Sequence, residues 1–173
     1  MKKLLAISIF AFAMNLTAFG QKVIISGPAA NKPDKTAPAG FSREKFDPLR
    51  DPKADLALAV TTATKTGKRI ILDVGGEWCG WCVYMDKFFF QNPELDKLRT
   101  DNYVWLKVNM GPENENTAFL SAYPEREGYP HLYVLDTDGK LLQSQDTSPL
   151  EAGKGYDLAK FTAFLRKWAP STK

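Results

Sequence analysis

One stretch of this chain constrains its fold more than any other. Arg69-Ile70-Ile71-Leu72-Asp73-Val74 is short, rich in β-branched residues and almost wholly apolar, and it ends on Gly75-Gly76. Glu77-Trp78-Cys79-Gly80-Trp81-Cys82 follows at once, then a helical pattern through Phe90. A continuous apolar run of this length predicts a central strand buried on both faces. The chain must then turn sharply and begin a helix with two cysteines in its first turn. Asp73 sits oddly in such a strand, because an ionised carboxylate is costly to bury. Burial alone would raise its pKa.

The remaining segments predict the cover that such a strand needs. Ala54 to Thr64 carries Leu56, Ala57, Val60 and Ala63 at helical spacing, with Gly67 as a stop. Asn92-Pro93-Glu94 reads as a helix start, with Leu95 and Leu98 behind it. Tyr103 to Asn109 is a second apolar strand, and a short helix is expected over 116–123. His131 to Leu135, the turn at Asp138-Gly139, and Lys140 to Leu142 predict a β-hairpin. From Tyr156 to Trp168, Leu158, Phe161, Phe164, Leu165 and Trp168 recur with helical period, which marks them as core packing. Helix, strand, helix, strand, helix, hairpin and helix give an α/β fold with a central mixed sheet flanked by helices on both faces.

The ends of the chain are of a different character. Met1-Lys2-Lys3, an apolar run from Leu4 to Met14, and small residues at Ala18 and Gly20 read as a secretory signal cut after Gly20. An uncleaved anchor is the rival reading, but the run is shorter than the ~20 residues that span a bilayer. Residues 21–52 hold five prolines and read as an arm or linker, in which Val23-Ile24-Ile25 could add an edge strand and Phe41 and Phe46 could dock. Residues 53–170 are the expected domain. Loss of Lys2 and Lys3 with the signal lowers the net charge from +3 to +1. So neutral a chain offers no electrostatic case for nucleic acid or an anionic membrane. A periplasmic or secreted protein is expected, and a monomer.

Export places the two cysteines where disulfides persist. Backbone N–H groups at a helix N-terminus are unpaired and stabilise a thiolate. Two cysteines three positions apart lie about one helical turn from each other. Cys79 can therefore attack a disulfide, and Cys82 can resolve the product. As a structural staple the pair would be poor, because its loop is tiny. A structural zinc site wants four ligands, and Cys79, Cys82 and His131 supply three. Haem attachment needs a histidine directly after the second cysteine, and Val83 stands there. Copper(I) carriage by the dithiol remains open.

These residues resemble the thioredoxin superfamily over about residues 54–170. Trp78-Cys79-Gly80-Trp81-Cys82 is similar to the family's Trp-Cys-Gly-Pro-Cys, with Trp81 in place of proline. Asp73, six residues before Cys79, matches a buried aspartate. Lys107 in Leu106-Lys107-Val108-Asn109 matches the lysine that approaches it. Gly128-Tyr129-Pro130 resembles the loop whose cis-proline faces the active site, and Asp138-Gly139-Lys140 resembles the hairpin turn. The exported Cys-Gly-Trp-Cys proteins are the most similar branch. The resemblance implies a thiol–disulfide oxidoreductase that needs no dissociable cofactor. In it Cys79 and Cys82 exchange electrons, Asp73 accepts a proton from Cys82 through water, and Lys107 biases Asp73. Trp78, Trp81, Tyr129 and Pro130 would form the substrate groove. His131 is expected to pack rather than react.

The expected partners are exported proteins that carry disulfides or thiols, with a membrane electron donor to restore the dithiol. Glu77, two residues before Cys79, is expected to disfavour the thiolate by its charge, which argues for a reductase or isomerase. The alternatives are a disulfide-forming oxidase of the same fold and a non-enzymatic metal-carrying or binding module.

Overall fold

The computed structural model describes residues 38–171. The expected signal at 1–20 and the edge strand at 23–25 lie outside them. The first helix, α1 (Pro52–Thr66), starts where Asp51 accepts a hydrogen bond from the Lys53 N–H at 2.9 Å, with Pro52 in its first turn. It stops at Gly67, which takes the left-handed conformation with φ 70°. Strand β1 (Arg69–Gly75) follows, then α2 (Gly80–Gln91), α3 (Pro93–Asn102) and β2 (Tyr103–Asn109). A single turn, α4 (Thr117–Leu120), precedes the hairpin of β3 (His131–Leu135) and β4 (Leu141–Asp146). A two-residue ladder, β5 (Glu151–Ala152) with β6 (Gly155–Tyr156), leads into α5 (Leu158–Trp168).

The main sheet runs β2-β1-β3-β4, with β1 parallel to β2 and antiparallel to β3. A mixed sheet with β1 second from the edge is what the apolar run predicts. Alternation along the strands sorts their side chains into two cores. Ile71, Leu132 and Val134 pack with Met85, Phe88 and Phe89 of α2 and with Phe161 and Leu165 of α5. Ile70, Leu72, Val74, Val108 and Tyr133 pack with Ala59 and Ala63 of α1 and Leu120 of α4.

Two consequences position the site. The parallel register sets Asp73 directly beside Lys107. Both have the parity of Ile71, so both project toward α2. The sequence expectation differs in three places. The helix over 116–123 shortens to four residues, α5 starts at Leu158, and the β5–β6 ladder carries no alternation long enough to read. The segment 38–51, grouped with the arm by its prolines, packs against the domain through a buried Phe46. Among the described residues no helix is long and apolar enough to cross a membrane.

Candidate active site

Cys79 is the N-cap of α2, and its sulfur accepts the Cys82 N–H at 3.1 Å. The two cysteines are joined as a disulfide with Cα atoms 5.3 Å apart. Cys79 is 5% exposed and Cys82 is fully buried. The outer sulfur is therefore the one that a partner can reach, and a thiolate formed there keeps a backbone donor. Gly75 makes room for the pair, since a Cβ built on it would lie 2.5 Å from the Cys82 sulfur.

Of the four residues expected to form a groove, Trp81 and Tyr129 pack against this disulfide. The Tyr129-Pro130 bond is cis, as the resemblance implies, and the Pro130 carbonyl accepts from Thr147 Oγ1 at 2.9 Å. Trp78 is 56% exposed, yet its indole N–H donates to the Met110 carbonyl at 2.7 Å and its ring meets Tyr129 edge-on. The indole runs close past two glycines. A Cβ on Gly76 would collide with it, and one on Gly111 would come within 3.1 Å of its nitrogen. Trp81 is partly buried and stacks edge-on against Tyr84 and Tyr156, with centroids 5.7 and 5.4 Å away.

A chain of charges runs from buried Asp73 and Lys107 through half-buried Asp86 and Arg43 to exposed Glu77. Lys107 Nζ is 3.0 Å from Asp73 Oδ2 and 2.9 Å from Asp86 Oδ1. The indole N–H of Trp105 also donates to Asp73 Oδ2, at 3.1 Å. Burial works against the Lys107 ammonium, but the carboxylates of Asp73 and Asp86 outweigh it and raise its pKa above the ordinary lysine value. Burial raises the Asp86 pKa, and Lys107 opposes that only in part. Arg43 Nη1 reaches Asp86 at 3.3 Å and Glu77 Oε1 at 2.9 Å, and its second amino group pairs with the other Glu77 oxygen. Burial also opposes the Arg43 charge, yet Glu77 and Asp86 raise its pKa.

Asp73 and Lys107 meet, as the resemblance implies. The expectation for Glu77 needs correction. It is not a bare charge beside Cys79, because its carboxylate is taken up by Arg43 and by the Phe46 N–H at 3.1 Å. His131 packs as expected, with Nε2 2.8 Å from Ser144 Oγ, and burial pushes its pKa down to about 4. Sequence reasoning missed Asp86 and Arg43, and it offered Phe46 as a docking residue without placing it against the cysteines. Asp86 was open to inference, since it lies four residues after Cys82 on the same helix face. The contacts of Arg43 were not, since Glu77 is 34 residues away along the chain.

The fold, the cysteine pair and the cis-proline loop converge with a family comparison. A family model described as thioredoxin-like matches residues 51–137, just over half of the chain. The chain belongs to the thioredoxin-like family. The matched range of this thioredoxin-like chain holds both cysteines, Asp73, Asp86, Lys107 and Pro130, while Arg43 and Phe46 precede it.

The thiol:disulfide interchange protein DsbD of Pseudomonas fluorescens is 28% identical over 149 residues, 85% of this chain and 22% of its own length. DsbD of Colwellia psychrerythraea is 28% identical over 96 residues, 55% of this chain and 16% of its own length. The chain thus spans about a fifth of the length of these curated relatives. Among solved structures, a disulphide isomerase from Xylella fastidiosa Temecula1 superposes with a TM-score of 0.61 at 23% identity, over 70% of this chain and 94% of that one. The oxidised C-terminal domain of Neisseria meningitidis DsbD gives 0.51 at 22% identity, over 72% and 99%. At these identities the two structures establish the fold.

Proposed function

We propose that this thioredoxin-like chain is a thiol–disulfide oxidoreductase that reduces or isomerises disulfides in partner proteins. The observation that carries the reading is the Cys79 sulfur, placed at the N-cap of α2 and bonded to a buried Cys82. In the reducing direction the Cys79 thiolate attacks one sulfur of a partner disulfide. A mixed disulfide forms and the other partner sulfur leaves as a thiolate. The Cys82 thiolate then attacks Cys79, forming the Cys79–Cys82 disulfide and releasing the second partner thiol. Two electrons pass to the partner, and a second dithiol must restore the enzyme. Lys107 holds Asp73 behind the pair, where that carboxylate can take the Cys82 proton through water. Trp78, Trp81 and Tyr129-Pro130 shape the face that meets the partner.

The balance of charge supports the reducing direction. Three carboxylates, Asp73, Glu77 and Asp86, face two cations, Lys107 and Arg43. A net negative surrounding stabilises a thiolate less, and so favours the reduced form less. Periplasmic or secreted residence and a membrane electron donor complete the proposal. The signal-like first twenty residues and the DsbD relatives support them.

The test is the equilibrium reduction potential of the mature protein in glutathione or dithiothreitol buffers, with a disulfide reductase assay on wild type and Cys79→Ser. A potential near the thioredoxin value, about −270 mV, with activity lost in Cys79→Ser, is expected. A value near −120 mV would replace reduction by disulfide formation. Activity that survives Cys79→Ser would refute the dithiol mechanism.

A further inference from the structure

Arg43 and Phe46 lie before the family-matched range, yet Phe46 packs against the cysteine pair and Arg43 pairs with Glu77 and Asp86. Phe46 is 2% exposed and shares a buried cluster with Cys79 and Cys82. A Cβ built on Gly75 would lie 3.2 Å from Phe46 Cζ and 2.5 Å from the Cys82 sulfur, so ring tip and sulfur sit over the same backbone. The face of the same ring carries Lys107 Nζ 4.2 Å from its centroid. Phe46 therefore touches both the redox pair and the buried ammonium.

The segment is fixed along its length. The Phe41 ring meets Phe90, Arg43 holds Glu77 and Asp86, and the Phe46 N–H is taken by Glu77. The Pro48 carbonyl accepts from Asn114 at 2.9 Å, and Arg50 pairs with Asp55 at 2.6 Å. A stretch anchored at so many points is part of the domain's architecture, not a tether. It also sets a charge count. Without Arg43 the excess of carboxylates over cations behind the pair grows from one to two.

We propose that Arg43 and Phe46 are positioning residues of the redox centre. Phe46 walls Cys82 off from water, and Arg43 offsets part of the carboxylate charge, so that the reduced pair ionises more readily than it would without that guanidinium. The proposal rests on the dithiol reading above and names what tunes it. Among the described residues the other titratable groups about the pair are Asp73 from β1, Lys107 from β2, Asp86 from α2, Glu77 and Tyr129 from the flanking loops, and, beyond Trp81, Tyr84 of α2 and Tyr156 of β6.

The test uses the reduced protein and iodoacetamide, with the pH profile of alkylation read separately at each cysteine. Arg43→Gln should raise the Cys79 thiol pKa by about 0.5–1 unit, which slows alkylation about three- to tenfold at a fixed lower pH. Arg43→Lys should restore most of that rate. Phe46→Leu, the milder change, and Phe46→Ala should make Cys82 alkylate several-fold faster under native conditions. Should Arg43→Gln fail to fold, Glu77→Gln reads the same balance from the other side and should lower the Cys79 pKa. Unchanged Cys79 profiles in the folded charge variants, with Cys82 equally protected in the folded Phe46 variants, overturn the proposal. These readouts need no partner protein. A chain that shows these shifts but reduces no protein disulfide loses the proposed function and keeps this inference.

Discussion

Acidification should weaken this protein through the buried imidazole of His131, and the size of the effect follows from its surroundings. The ring is 4% exposed, Nε2 faces Ser144, and Nδ1 is buried with no hydrogen-bond partner among the described residues. A neutral ring fits this cage. A protonated ring would set a second N–H where nothing accepts it. Burial is the largest influence and lowers the pKa from 6.5 to about 4, while Asp146 pulls upward and Arg126 downward by less. The folded pKa is thus below the unfolded one, and the unfolded chain takes up the proton first as pH falls. The stability from this group is whole above the unfolded pKa of ~6.5 and is lost as pH falls through about 4. At ~1.4 kcal/mol per unit, that loss is about 1 kcal/mol near pH 5.5 and about 3 kcal/mol once pH is below both values. Urea unfolding of oxidised wild type and His131→Gln at several pH values isolates the term, because the carboxylates contribute equally to both. The wild-type advantage should shrink across that window. A difference that stays constant within about 0.3 kcal/mol refutes the reasoning.

Lys107→Met should cost about 3–5 kcal/mol in chemical denaturation, because it leaves Asp73 and Asp86 buried without their shared cation. Adding Asp73→Asn to that variant should recover part of the loss, and strict additivity would deny the coupling. Gly75→Ala should cost about 1–3 kcal/mol in thermal unfolding, because the new methyl must displace the Cys82 sulfur. A Gly75→Ala variant as stable as wild type would show that the wall behind the disulfide yields easily.

The sequence made the frame of this fold legible where a pattern is local. The apolar run of β1, the cysteines at a helix start, the glycine and proline punctuation, and the aromatic stripe of α5 each announce themselves within a dozen residues. The inner half of the site does not. Arg43 finds Glu77, and Phe46 finds Cys82, only after strands and helices have brought distant segments together. Prolines at 38 and 48 argue against regular structure in that segment, whereas Pro52 opens α1, and irregular backbone can still be pinned tightly. Asp73 and Lys107 lie 34 residues apart in sequence, and only the register of β1 on β2 makes them neighbours. The β5–β6 ladder escapes because two residues per strand carry no period.

The slot that holds Trp78 has a consequence for how such a chain can diverge. An indole wedged past Gly76 and Gly111, and tied to the carbonyl of Met110, makes those positions one unit of inheritance. A side chain at Gly76 collides with the tryptophan and one at Gly111 needs the indole to shift, so a smaller residue at 78 relieves both contacts at once. Drift at the three positions should therefore be correlated, so that a lineage keeps the whole slot or abandons it together.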